Sequence, residues 1–91
     1  MPTTPNAVRK AANKLHVETN AGAVVDRCSL LGEVTTGEVK SGVYEIGGHN
    51  FLYEDAMELA RLKVVEAGGD TLLVRQRSKR AVVGDAYLCK R

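Results

Sequence analysis

The feature that most constrains this chain is a single change in apolar periodicity. Between about Phe51 and Ala67, apolar side chains recur at steps of three and four residues, at Tyr53, Ala56, Met57, Ala60, Val64 and Ala67. This spacing places them on one face of a helix, and the following Gly68 and Gly69 supply a left-handed C-cap that ends it. The small alanines on that face predict a helix that sits close to a sheet.

The segments around this helix carry strand patterns. Four stretches match them, at residues 15–19, 28–36, 71–77 and 81–89. Gly32 inside the second stretch predicts a bulge or a close approach of another backbone. The glycine-rich stretch 37–50 is typical of a flexible loop, in which residues 43–46 are a candidate extended segment.

The resulting order, β-β-α-β-β, predicts an α+β fold with one main helix packed on a mostly antiparallel four-stranded sheet. The strands before and after the helix should run parallel through a right-handed crossover, with the last strand reversed and lying between them as in a split β-α-β unit. A chain of 91 residues has room for one such domain. We assign residues 15–91 to it. Residues 1–14 are predicted to be an N-terminal tether or short frayed helix, with Thr4 as N-cap and Pro5 as first helical residue.

The chain has two cysteines, Cys28 and Cys89, and no C-x-x-C motif. Cys28 opens the strand before the helix and Cys89 closes the last strand, so the predicted sheet order would place them side by side. A disulfide there would stabilise the fold by about 4 kcal/mol in the chain-entropy model and would imply an oxidising compartment. The alternative, two reduced thiols in a cytosolic protein, stays open because cysteine is a buried residue type even when unpaired.

The charge balance excludes a strongly basic protein, since the formal net charge is only +2. Basic residues do cluster on the last predicted hairpin, at Arg75, Arg77, Lys79 and Arg80, with Lys90 and Arg91 at the end of the chain. A nucleic-acid site would also need aromatic side chains between them, and only Tyr87 is near in sequence. We therefore expect no nucleic-acid partner. The hairpin is predicted to be solvated, or to contact anionic lipid headgroups or an acidic partner.

No motif for catalysis or for a cofactor is present in the sequence, so we predict neither an enzyme nor a cofactor. Glu54, Asp55 and Glu58 open the predicted helix, where carboxylates interact favourably with the helix dipole. His16 and His49, together with the two cysteines, are weak candidates for metal ligands because none of them forms the closely spaced pairs typical of zinc sites. We expect His16 on the polar face of an edge strand and His49 in a solvated loop.

Three segments, taken in order, carry a likeness to a known family. They are Cys28 to Thr36 with its Leu-Gly-x-Val strand, the helix end Gly68-Gly69-Asp70, and the terminal Gly-x-Ala-Tyr-x-Cys from Gly84 to Cys89. Over residues 15–91 the chain resembles a family of small bacterial envelope lipoproteins known only as a domain of unknown function. Gly69 departs from that family's pattern, which usually has alanine there.

The resemblance implies a periplasm-facing domain, held to a membrane by a lipid on a cysteine upstream of the present Met1. It implies a non-catalytic binding or structural role with an unidentified envelope protein as partner, and membrane contact only through the anchor. The chain is also distantly similar to the outer-membrane lipoproteins that sense envelope stress for the Rcs phosphorelay, but those carry two disulfides at other positions, so no signalling residue transfers. A sensory or metal- or ligand-binding envelope module, using the loop around His49, is the alternative.

Overall fold

The computed structural model describes residues 4–24 and 26–89. This part of the chain contains two α-helices and six strands. The helices are α1 (Pro5–Lys14) and α2 (Ala56–Glu66), and a short 3-10 turn spans Ala21–Ala23. The strands are β1 (His16–Glu18), β2 (Cys28–Thr35), β3 (Gly42–Ile46), β4 (His49–Tyr53), β5 (Thr71–Arg77) and β6 (Val82–Cys89). The fold is α+β, as predicted.

The main sheet has four strands in the order β1-β5-β6-β2. β6 is antiparallel to both β5 and β2, so β2 and β5 run parallel with β6 between them. This confirms the split β-α-β arrangement. β1 pairs parallel with β5 and forms the other edge. The register between β2 and β6 shifts between Leu30 and Gly32, which confirms the bulge predicted at Gly32.

The stretch 37–50, predicted to be mostly a flexible loop, instead contains most of a two-stranded sheet, and its predicted extended segment 43–46 lies in β3. β3 and β4 pair antiparallel through Gly47 and Gly48, whose φ angles are 59° and 83°. Two successive residues with positive φ are what a type I′ hairpin turn requires, and glycine adopts them without strain. The hairpin contributes Ile46 and Phe51, 1% and 2% exposed, to the core, and this burial stabilises it as an ordered element.

The main helix begins at Ala56, not near Phe51 as the periodicity predicted. Its N-cap is Asp55, whose Oδ1 accepts a hydrogen bond from the Glu58 N–H at 2.8 Å. Glu58 in turn accepts from the Glu54 N–H at 3.2 Å. This is a variant of the capping box in which the N3 side chain reaches the residue before the N-cap. Tyr53 continues the helical spacing only by coincidence, because it belongs to β4, as does Phe51.

Burial of α2 extends beyond the predicted stripe. Ala56, Ala60 and Val64 of that stripe are buried, and three further residues are buried as well, Leu59, Leu62 and Val65. The reason is that α2 contacts the main sheet, the β3–β4 hairpin and α1, so several of its sides are covered. Ala67, predicted to lie on the buried face, is exposed as the C-cap residue.

The C-terminus of α2 is a Schellman motif, which gives the predicted glycine cap its geometry. Gly68 has φ of +86°. Its N–H donates to the Val65 carbonyl, and the Gly69 N–H donates to the Val64 carbonyl. A β-carbon at Gly69 would lie 2.8 Å from the Tyr87 carbonyl oxygen, so this glycine allows β6 to pass close to the helix end.

The N-terminal segment was predicted to be either a tether or a short helix. Residues 5–14 form a helix. The Thr4 hydroxyl accepts from the Ala7 N–H at 3.3 Å, and Pro5 is the first helical residue, both as predicted. The helix packs on the main core through Val8 and Ala12, which are 0% and 7% exposed. Residues 1–3 lie outside the described part of the chain.

Candidate functional site

A disulfide joins Cys28, the first residue of β2, to Cys89, the last residue of β6. The two residues are directly opposite each other in the β2–β6 register, with their Cα atoms 4.1 Å apart. The position of β6 between its neighbours therefore brings the two cysteines together, as the predicted strand order required. Both side chains are half-buried and pack against an apolar cluster of Val24, Leu73 and Tyr87.

Asp70 fastens the same end of the sheet through both its backbone and its side chain. Its N–H donates to the Tyr87 carbonyl, and its own carbonyl accepts from the His16 N–H, each at 3.0 Å. Its Oδ1 accepts from the Cys89 N–H and from the Thr71 hydroxyl, again at 3.0 Å. One residue thus joins β1, β5 and β6 beside the disulfide. Sequence reasoning missed this role, although an aspartate at a turn is a common acceptor for nearby backbone N–H groups.

An ionic network crosses the sheet face opposite α2 and includes a residue predicted to belong to the basic hairpin. The Arg75 guanidinium lies 2.6 Å from Glu33 Oε2 through Nη2 and 3.0 Å from Asp85 Oδ2 through Nε. The hydrogen bond with Glu33, and then the charge of Asp85, raise the pKa of Arg75. Arg75 is therefore engaged across three strands and is not available as one of the hairpin cations.

The other predicted cations, Arg77, Lys79 and Arg80, are exposed where β5 turns into β6. This turn lies at the opposite end of the sheet from the disulfide, and we call it the basic end. The ion pairs among the described residues do not include these three side chains. A surface depression of about 460 Å³ beside the turn is lined by Lys79, Arg80 and Glu38, among others. Lys90 and Arg91 lie outside the described residues.

The two histidines are both exposed and lie on different strands, His16 on β1 and His49 on β4. His16 lies exposed on edge strand β1, as predicted, with Nε2 3.1 Å from Glu18 Oε2. The Asn20 backbone N–H, and then His16, lower the pKa of Glu18. His49 is exposed at the start of β4, in the hairpin and not in a loop. Within residues 4–24 and 26–89 no group of three or more His, Cys, Asp or Glu side chains is placed to hold a metal ion.

A groove of about 350 Å³ lies between β2 and β3. Its far side is formed by Tyr44 of β3 with Lys63 and Glu66 of α2, and its near side by residues 31–34 of β2. The Tyr44 hydroxyl donates to the Glu66 carboxylate, and burial, followed by this hydrogen bond, raises the pKa of Tyr44 to about 12. The Tyr44 hydroxyl therefore remains protonated at neutral pH and acts as a hydrogen-bond donor.

Lys63 connects the two sides of this groove. Its Nζ donates to the Thr35 carbonyl at 3.0 Å and lies 5.7 Å from the centroid of the Tyr44 ring, within range of a cation–π contact. Sequence reasoning missed the groove because it treated residues 37–50 as a loop. The available signal was Gly47-Gly48 between two stretches with strand-like side chains, which favours a two-residue hairpin.

No protein family, no curated protein and no solved structure matches the chain. Within the described part of the chain, neither helix has the length and apolar character needed to cross a membrane.

Proposed function

We propose that this chain is the periplasm-facing domain of a bacterial envelope lipoprotein and serves as a non-catalytic binding module. The observation that carries the proposal is the Cys28–Cys89 disulfide. Disulfides persist in oxidising compartments such as the bacterial periplasm and are rare in the cytosol. The same two cysteines belong to the sequence segments that resemble the envelope family, so the likeness and the disulfide support one location.

The binding role is supported by how the polar side chains are used. Asp70 holds strand ends together, Asp55 and Glu58 cap α2, and Arg75 bridges two carboxylates. These groups act as structural elements of a small, rigid scaffold. Two surfaces of the described residues offer room for a partner, the basic end and the β2–β3 groove, and both suit contact with another macromolecule better than they suit the enclosed site of a small ligand.

The test is to determine the thiol state and location of the protein in a bacterium that expresses its complete natural gene. Cells are quenched in acid and treated with a thiol-alkylating reagent, and the intact mass of the protein is measured after membrane and periplasmic fractionation. We expect no alkylation, a mass lower by two hydrogens than that of the reduced chain, and a lipid-modified form in the membrane fraction. Residues 1–91 expressed in a reducing cytoplasm are the matched control, and they should be alkylated at both Cys28 and Cys89.

Two results would contradict the proposal. One is a protein with both thiols alkylated in its natural host, which would favour a cytosolic protein. The other is an oxidised protein without lipid in the soluble periplasmic fraction, which would keep the compartment and reject the lipoprotein anchor.

A further inference from the structure

β2 is an edge strand whose outer backbone groups are only partly used. It pairs with β6 on one side alone. On its other side, the Cys28 N–H donates to the preceding turn and the Thr35 carbonyl accepts from Lys63. Along an antiparallel strand, the N–H and C=O groups of successive residues point alternately towards the paired strand and away from it. The backbone groups of Leu30 therefore face away from β6, like those of Cys28. Those of Glu33 face away from β6 like those of Thr35. The bulge between Leu30 and Gly32 accounts for the change of phase.

The outward N–H and C=O groups of Leu30 and Glu33 have no backbone partner among the described residues. Leu30 and Leu31 are also exposed, by 62% and 40%. Proteins commonly shield free sheet edges with short strands, prolines or charges, and the opposite edge follows this rule because β1 has only three residues. β2 has eight residues, so it has the length, the apolar side chains and the free backbone groups that strand pairing requires.

We propose that the groove between β2 and β3 binds an extended peptide segment of a partner protein, which adds to the outer edge of β2 as an antiparallel strand. This inference rests on the proposed binding role and names the class of its partner. Backbone groups of the segment would pair with Leu30 and Glu33. Recognition by strand addition gives affinity through main-chain hydrogen bonds and specificity through alternate side chains.

A second copy of this chain fits the groove less well than a single segment. Tyr44, Lys63 and Glu66 stand across the groove from β2. Antiparallel pairing of two β2 strands about a two-fold axis would bring α2 and the hairpin of both copies to the same face of the joined sheet. The two sets of groove walls would then meet at the axis. A single extended segment brings no such layer with it.

The two carboxylates that line the groove already have partners, Glu66 in the Tyr44 hydroxyl and Glu33 in Arg75. Lys63 therefore defines the side-chain chemistry of the partner. Its ammonium bonds to the Thr35 carbonyl, an acceptor that an added strand would use, and it has no carboxylate within salt-bridge distance among the described residues. When a strand N–H takes over the Thr35 carbonyl, the ammonium is released at the groove. The bound segment is therefore expected to carry an acidic side chain near Lys63 and an apolar side chain beside Leu30.

The first experiment is a selection from a library of random linear eight-residue peptides displayed on phage, against the oxidised domain. Selected phage are then depleted on the Glu33→Pro variant. Proline removes the outward N–H of Glu33 but leaves the ladder with β6 intact, because that ladder uses the neighbouring residues. We expect enrichment of peptides with alternating apolar residues and an aspartate or glutamate. The proposal is overturned if no peptide is enriched, or if every enriched peptide also binds the Glu33→Pro variant.

The second experiment measures the dissociation constant of the most enriched peptide on matched variants. Glu33→Pro should weaken binding about tenfold or more, since it removes a main-chain hydrogen bond. Glu33→Ala removes the same carboxylate and keeps the N–H, so it should stay within about threefold of the wild type. Lys63→Met should weaken peptides that contain an acidic residue more than versions with glutamine in its place. Equal weakening by Pro and Ala at position 33 would overturn strand pairing.

Folding and self-association are monitored in the same samples. Leu30→Lys keeps every backbone group and serves as a second variant of the β2 edge if Glu33→Pro does not fold, with Leu52→Lys on the exposed outer face of the hairpin as its control. We expect amide NMR shifts at Leu30 and Glu33 on addition of peptide. A dimer by sedimentation that Leu30→Lys dissociates would identify a second copy as the occupant and reject the peptide. The thiol and fractionation results do not depend on any of these outcomes, so a failure of the peptide proposal can be distinguished from a failure of the proposed function.

Discussion

The two ends of the four-stranded sheet are closed by different kinds of interaction. At the disulfide end, a covalent bond joins Cys28 to Cys89, and Asp70 holds three strands beside it. At the basic end, the Thr36 hydroxyl accepts from the Val82 N–H at 3.0 Å, and the turn beyond it carries exposed cations. At each end a side-chain oxygen accepts from a backbone N–H of β6, but only the disulfide end is held by a bond that persists when the chain unfolds.

The difference indicates where the molecule opens first. Local opening favours regions with few buried apolar contacts and solvent-exposed hydrogen bonds, which describes the turn at residues 78–80. The disulfide end instead packs Leu73 and Tyr87, 4% and 8% exposed, against Val24 and the cystine. We therefore expect amide exchange in β6 to slow from Val82 towards Cys89.

The largest expected effect comes from removing the disulfide. Its cysteines are 61 residues apart, and opening a loop of that length should lower the free energy of unfolding by about 4 kcal/mol in the chain-entropy model. The double variant Cys28→Ala, Cys89→Ala, measured by urea unfolding, should show this loss and should also erase the exchange gradient along β6. A loss below about 1 kcal/mol would show that the two ends differ little in how much they restrain the unfolded chain.

A smaller effect is expected from the side chains that close each end. Asp70→Ala leaves the Cys89 N–H and the buried Thr71 hydroxyl without their charged acceptor, so we expect a loss of about 1.5–3 kcal/mol. Thr36→Val at the basic end removes a neutral acceptor from the Val82 N–H and should cost about 1 kcal/mol. Asp70→Asn keeps an acceptor oxygen and is the control. The comparison between the ends is contradicted if Thr36→Val costs as much as Asp70→Ala in the same urea series.

The sequence predicted the disulfide end better than the region around the groove. Strand order placed Cys28 opposite Cys89 because both lie at ends of strands whose neighbours follow from a split crossover. The glycine cap at Gly68 and the bulge at Gly32 were also predictable, since each depends on local backbone geometry.

Apart from the extended segment 43–46, which lies in β3, the hairpin and the groove were not predicted, because their signals are weaker or non-local. Gly47 and Gly48 indicate a turn, but four glycines within residues 37–50 also resemble a flexible loop. The position of Tyr53 matched the spacing of the helix that follows, and only the N-cap at Asp55 separates the two elements. The contacts of Tyr44 with Glu66 and Lys63 join different elements, and no local sequence pattern encodes them.

Tyr44 gives a pH-dependent test of the contact that ties the hairpin to the last turn of α2, next to the disulfide end. Its pKa rises from 10.0 to about 12 in the folded protein. The protonated hydroxyl thus contributes stability below pH 10, and this contribution is lost as the pH rises from 10 to about 12. At pH 7 Tyr44→Phe should cost about 1 kcal/mol. The difference between the variant and the wild type should shrink and then reverse across that alkaline range, as measured by denaturant unfolding at each pH. A constant difference would show that the hydroxyl does not keep its proton more tightly when folded.

The smallest effect on stability is expected at the basic end. Replacing Arg77, Lys79 and Arg80 by glutamine should change the free energy of unfolding by less than about 0.5 kcal/mol, because exposed side chains without ion-pair partners contribute little to folding. If these cations contact anionic lipid, their loss should lower binding to vesicles of anionic phospholipid by about 1 kcal/mol for each charge, measured by co-sedimentation at low salt. Lys10→Gln with Lys14→Gln, on the exposed side of α1, is the control for net charge alone. Because the hairpin variant removes three charges and the control removes two, the losses are compared for each charge removed, and equal losses on that basis would reduce the contact to general electrostatics. A selective loss would mean that the less restrained end of the sheet is the end that meets a membrane surface.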